Sequence, residues 1–134
     1  MNEAENNISI SEKVTRYFFD ESGYSANSRR VRYNALLPNR NGKTSVFWIS
    51  NLTPVQIWDI GQWVAEIREK ILRARGDIIG SHVLSEGLII ESETTVHSLH
   101  ANIIGWPEQR SEKLLIAKKL ARKTELQLKP LQED

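Results

Sequence analysis

"NLTPVQIWDIGQWVAEIREKILRARG", residues 51 to 76, carries the strongest periodic signal in the chain. Thr53 is a helix-capping residue, Pro54 fits the first helical position, and Gly76 follows Lys70, Arg73 and Arg75 as a stop. At 100° per residue, Ile57, Ile60, Val64, Ile67 and Ile71 fall on one stripe. Glu66 with Lys70, and Glu69 with Arg73, form i,i+4 pairs on the other side. Trp58 and Trp63 flank the stripe, and Gly61 lies inside it, where a missing side chain permits close approach to a sheet. The spacing predicts one long amphipathic helix packed on strands.

The strands are sought on either side. "KVTRYFF" (13–19) has strand composition and is followed by turn-rich "DESGYSANS". "RVRYNALL" (30–37) alternates Val31, Tyr33, Ala35 and Leu37; "PNRNGK" reverses the chain and "TSVFWIS" (44–50) follows, predicting a hairpin. Downstream, "HVLSEGLIIES" (82–92) and "HSLHANIIGW" (97–106) read as a second strand pair. Pro107 opens a second helix with Leu114, Ala117, Leu120 and Ala121 on one face and Lys118, Lys119, Arg122 and Lys123 on another. "TELQLK" (124–129) alternates as a last strand.

The sum is an α+β fold with a single antiparallel sheet and two helices on one face. From about residue 44 to 129 the order is βαββαβ, a ferredoxin-like core, preceded by the extra N-terminal hairpin strand 30–37. That extra strand and the C-terminal strand compete for one place beside strand 44–50. Ile60, Val64, Ile103 and Leu120 are expected to share one core. Residues 13–130 read as a single domain, with flexible segments at 1–12 and 131–134.

The 134 residues contain no Cys, which excludes disulfides, thiolate metal sites and a cysteine nucleophile. "MNEAENNISI" lacks the basic-then-apolar order of a secretory leader, and no apolar run is long enough to span a bilayer, so a cytoplasmic location without a membrane partner is expected. A net charge of +1 conceals segregation. Residues 28–45 hold Arg29, Arg30, Arg32, Arg40 and Lys43 without an acid, whereas 76–106 hold Asp77, Glu86, Glu91 and Glu93 without Lys or Arg.

Catalytic signatures are sparse. If 97–106 is a strand, His97 and His100 point to opposite faces and cannot act as a pair. HExxH, an EF-hand loop, paired H-x-[ST] motifs, a phosphate-binding Gly-rich loop and GxSxG are all absent, so no metal, cofactor or catalytic residue is assigned.

Binding has more support. "FWISNL" (47–52), between a strand and a helix, resembles the first-strand signature of RNA-recognition motifs, and the resemblance implies that Trp48 stacks a base. The third-strand signature of that family is missing. Alternation groups Arg30, Arg32, Asn34, Trp48, Ser50, His100 and Asn102 on an open sheet face, a composition suited to single-stranded nucleic acid. A merely solvated face is the competing explanation. The reading is a small non-enzymatic nucleic-acid-binding or regulatory accessory protein. Its alternatives are a protein-interaction or homodimerisation module using exposed Trp and the uncovered sheet face, and a metal-independent nuclease using His100.

Overall fold

The computed structural model describes residues 12–130. The expected flexible ends therefore lie outside the described residues, apart from Glu12. The fold is α+β, built on a six-stranded antiparallel sheet. Its strands are β1 (Lys13–Phe18), β4 (Thr44–Trp48), β5 (Ala74–Ile79), β6 (Ile89–Ser92), β7 (His100–Ile104) and β8 (Glu125–Leu128). A separate two-stranded ribbon pairs β2 (Tyr24–Ser25) with β3 (Arg30–Val31). The helices are α1 (Pro54–Arg68), α2 (Gly80–Ser85) and α3 (Arg110–Lys123). The sheet runs β6-β7-β4-β1-β5-β8, so β1 lies at its centre.

Strand β1 explains the layering. Val14 and Phe18 point to the side covered by Leu120 and Ala121 of α3 and Val83 of α2. Tyr17 points the other way, into a cluster with Ile57, Ile60, Val64 and Ala65 of α1. The expectation of two helices on one face is thus corrected: α1 covers one face, and α2 and α3 cover the other. Ile60 and Val64 are buried in one cluster and Ile103 and Leu120 in the other, so these four do not form one core. A strand with apolar residues in both phases of the alternation needs cover on both sides.

Helix α1 begins as expected. Thr53 and Gln56 form a reciprocal capping box, and Pro54 opens the helix. It ends at Arg68, eight residues before Gly76. Glu69 takes up a left-handed conformation (φ 55°), and the Lys70 N–H donates to the Ala65 carbonyl. This is a Schellman-type stop with Glu where Gly is usual, so the customary signal is missing. Ile67 and Ile71 are consequently exposed, and residues 74–79 become β5.

Two further segments differ from expectation. Residues 30–37 make only the short β3 and a 3₁₀ turn at Tyr33–Ala35, with Val31 and Leu36 buried. A five-residue spacing of anchors suits a turn and breaks the strand alternation. The place beside β4 goes to β1, and the two strands pair only at Val14–Trp48 and Thr15–Phe47. Beyond those pairs Arg16 bridges the gap, donating through Nη1 to the Ser45 carbonyl at 2.8 Å and through Nε to the Ala35 carbonyl at 2.7 Å. Burial, and then the Arg68 charge, pushes the Arg16 pKa down to about 10, which leaves it charged at neutral pH. Residues 82–85, the first part of the segment 82–92 expected as strand, lie in α2. Gly87 (φ 81°) then reverses the chain into β6.

The anticipated close approach at Gly61 is present. A Cβ there would lie 2.6 Å from Tyr17 Cε1, and that ring is fixed because its hydroxyl donates to the Ile57 carbonyl. Gly61→Ala gains helix propensity but overpacks this contact; the expected net loss is about 1–2 kcal/mol, read as a lower urea midpoint with an unchanged m-value.

Candidate functional site

The seven residues grouped by alternation do not share a surface. Arg30 and Arg32 belong to and follow the β3 ribbon, while Asn34 sits in the 3₁₀ turn and donates to the Ser22 carbonyl. Trp48 lies on the α3 side of the sheet, packed against that core, and its indole N–H donates to Ser92 Oγ. Ser50 accepts from the Lys13 backbone N–H. His100 and Asn102 lie on the α1 side, opposite Phe47 and Ser45 respectively. Trp48 and His100 are therefore on opposite faces.

What the fold gathers instead is a basic groove of about 690 Å³ between the β2–β3 ribbon and α3. Arg29, Arg30, Arg32 and Tyr33 line one wall, and Lys118 and Arg122 the other. All five cations are exposed, and no acidic residue lines the groove. Among the described residues, none of the five forms an ion pair with a carboxylate. Lys118 Nζ sits 5.3 Å above the Tyr33 ring. Arg29 has a left-handed backbone (φ 55°) in the turn between β2 and β3. Arg30 and Arg32 were within reach of sequence reading. The contribution of α3 was not, because nothing in the sequence relates residue 118 to residue 33.

On the other face a second constellation appears. The His100 N–H donates to the His97 carbonyl across a turn, which interrupts strand alternation. Both imidazoles consequently meet Phe47 edge-on, at 5.4 and 5.3 Å, correcting the expectation that they point apart. His97 also packs at 5.0 Å from Trp63 of α1. His100 Nε2 lies 2.7 Å from Ser45 Oγ, and its Nδ1 lies 2.9 Å from the Glu93 carbonyl and 3.3 Å from Glu93 Oε1. The Glu93 carboxyl is held below its ordinary range, first by a hydrogen bond from the Thr95 side chain and then by His100. Sequence reading missed Ser45 and Glu93, which lie 55 and 7 residues from His100.

A third polar cluster is structural. Arg75 and Asp77, side by side on β5, pair through Nε–Oδ1 at 3.0 Å and Nη2–Oδ2 at 3.3 Å. Both side chains are 8% exposed. Thr15 donates to Asp77 Oδ1 at 2.7 Å, and the Trp58 ring stacks 4.5 Å from the guanidinium carbon. These contacts account for the charge of both partners.

Among the described residues, no group of three or more His, Asp or Glu could hold a metal ion, and no helix is long and apolar enough to cross a membrane. No protein-family model, curated protein or solved structure matches the chain.

Arg75→Met leaves the Asp77 carboxylate buried without its partner and should cost about 3–5 kcal/mol, whereas the double change Arg75→Met/Asp77→Leu should recover most of that loss. Urea denaturation of the three proteins measures both.

Proposed function

We propose that the protein binds single-stranded nucleic acid through the groove between the β2–β3 ribbon and α3. The observation that carries this reading is the set of five exposed cations, unpaired among the described residues, around Tyr33 in one groove. Like charges held this close repel one another in the free protein. A polyphosphate strand removes that repulsion and gains counterion-release entropy. Tyr33, 38% exposed, offers a ring on which a base stacks once Lys118 swings to a phosphate. Backbone phosphates engage the arginines without reading sequence, so the groove suits a binder of low sequence preference. The domain reading of residues 13–130 and a cytoplasmic site of action are consistent with this role.

The protein-interaction alternative rests on exposed Trp and an uncovered sheet face, whereas helices pack on both faces of the sheet. Only Trp63 among the four is substantially exposed (38%), and its ring is engaged by His97. The basic groove is therefore the better supported surface.

With labelled oligo(dT) and oligo(U), affinity should fall as salt rises, with a log–log slope of about −3.5 if five phosphates are neutralised. Tyr33→Ala should cost roughly 1–3 kcal/mol without changing that slope. Arg30→Glu/Arg122→Glu should abolish binding, while Trp48→Ala should leave it intact in a folded protein. Absence of binding at low salt would refute the reading.

A further inference from the structure

We propose that Ser45 is a nucleophile activated by His100, and that the face beside α1 is an acyl-transfer site for neutral carboxylic esters. This inference is independent of the basic groove, which lies on the other side of the sheet. Hydrogen bonding sets the tautomer of His100. The Glu93 main-chain carbonyl, 2.9 Å from Nδ1, can only accept, so Nδ1 carries the proton. In the neutral ring Nε2 is then a lone pair. The 2.7 Å contact must therefore have the Ser45 hydroxyl donating to Nε2. The Glu93 N–H donates in turn to the His100 carbonyl at 2.9 Å, so two main-chain contacts fix the orientation of the base. Nucleophile, base and orienting group thus stand in the relation that serine acyl transfer requires.

The surroundings select the substrate. Ser45 and His100 are both partly exposed, so a ligand can reach the pair. Phe47, His97 and Trp63 form an apolar aromatic wall on one side. Glu91, opposite Asn102 on the neighbouring strand, and Glu93 make the rest of the rim acidic. Lys43, immediately before β4 and two residues before Ser45, is exposed, and the arginines of the basic groove lie on the other face. An acidic, aromatic rim disfavours phosphate diesters and suits an uncharged ester with an aryl or alkyl group. Asn102, directly across from Ser45 on the same face, is a neutral amide donor beside the nucleophile.

The chemistry balances without a cofactor. Ser45 Oγ forms a bond to the carbonyl carbon as its proton passes to His100 Nε2. The tetrahedral oxyanion collapses, the carbon–oxygen ester bond breaks, and the departing alcohol takes the proton from His100. Water, deprotonated by His100, then attacks the acyl-serine, releases the carboxylic acid and returns the proton to Ser45.

The test uses a fluorophosphonate probe with intact-mass and peptide mass spectrometry, alongside hydrolysis of p-nitrophenyl acetate. The expected result is one adduct per chain at Ser45, absent from Ser45→Ala. His100→Gln should slow labelling and hydrolysis at least about 100-fold. Glu93→Gln should slow them less than about 10-fold, because the main-chain carbonyl still holds the ring. Circular dichroism and melting curves establish that each variant is folded, and Ser45→Cys, labelled by iodoacetamide in a His100-dependent manner, provides a second readout. A wild-type chain that takes no adduct, an adduct elsewhere, or labelling unchanged in folded His100→Gln would overturn the proposal. Cleavage of an oligonucleotide, lost in His100→Gln while esters remain untouched, would overturn the substrate class.

Discussion

The contact between Tyr17 and Gly61 couples the two halves of the α1 layer. The ring lies where any side chain at position 61 would sit, and its hydroxyl is satisfied by the Ile57 carbonyl one turn earlier. Burial raises the pKa of that hydroxyl, keeping it in the neutral form that can donate. One strand residue thereby fixes both the height and the rotation of α1 above the sheet. With that side of β1 covered, its other side must take α2 and α3, and the remaining strands extend outward on either side.

This layering also decides where the charges go. The β2–β3 ribbon is too short to join the large sheet and folds instead against the face that carries α3. Its arginines meet the lysine-rich side of that helix. On the opposite face α1 covers β1 and its neighbours, with Trp63 reaching toward the turn before β7. Ser45, His100 and the two glutamates lie at that boundary. Nearly neutral overall, the molecule gathers a basic groove on one face and sets two glutamates beside an aromatic wall on the other.

The interior tolerates charge only where it is answered. Arg75 and Asp77 pair on β5 beneath α1, with Thr15 and Trp58 closing the cluster, although Arg75 Nη1 is buried without a hydrogen-bond partner among the described residues. Arg16 spends its donors on two carbonyls released where β1 and β4 diverge. Neither arrangement is a strong source of stability, since desolvation offsets much of the attraction. Both penalise a shift in strand register, because a one-residue slip would move these side chains to the wrong face. Specific pairing of β1 with β4 and β5 follows from that penalty.

The sequence by itself determined the start of α1, the strands at 13–18, 44–48 and 125–128, the strand pair at 89–92 and 100–104, the buried face of α3 and the close approach at Gly61. Each depends on neighbours within a few residues: a capping box, alternation, helical periodicity, an absent side chain. Tertiary structure decided the rest. Strand β5 was hidden by Arg73 and Arg75, whose charges fit the last turn of a helix; in the fold Arg75 is paired instead with Asp77 on the same strand. The stop at Glu69 carried no glycine, so the helical stripe ran on to Ile67 and Ile71. The basic groove and the Ser45–His100–Glu93 contacts join segments far apart in the chain, and local periodicity contains no information about such distances. Alternation also failed at the 97–100 turn, where one hydrogen bond rotates His97 onto the side of His100. Local chemistry specifies elements; which surfaces meet is set by the requirement that β1 be buried on both faces.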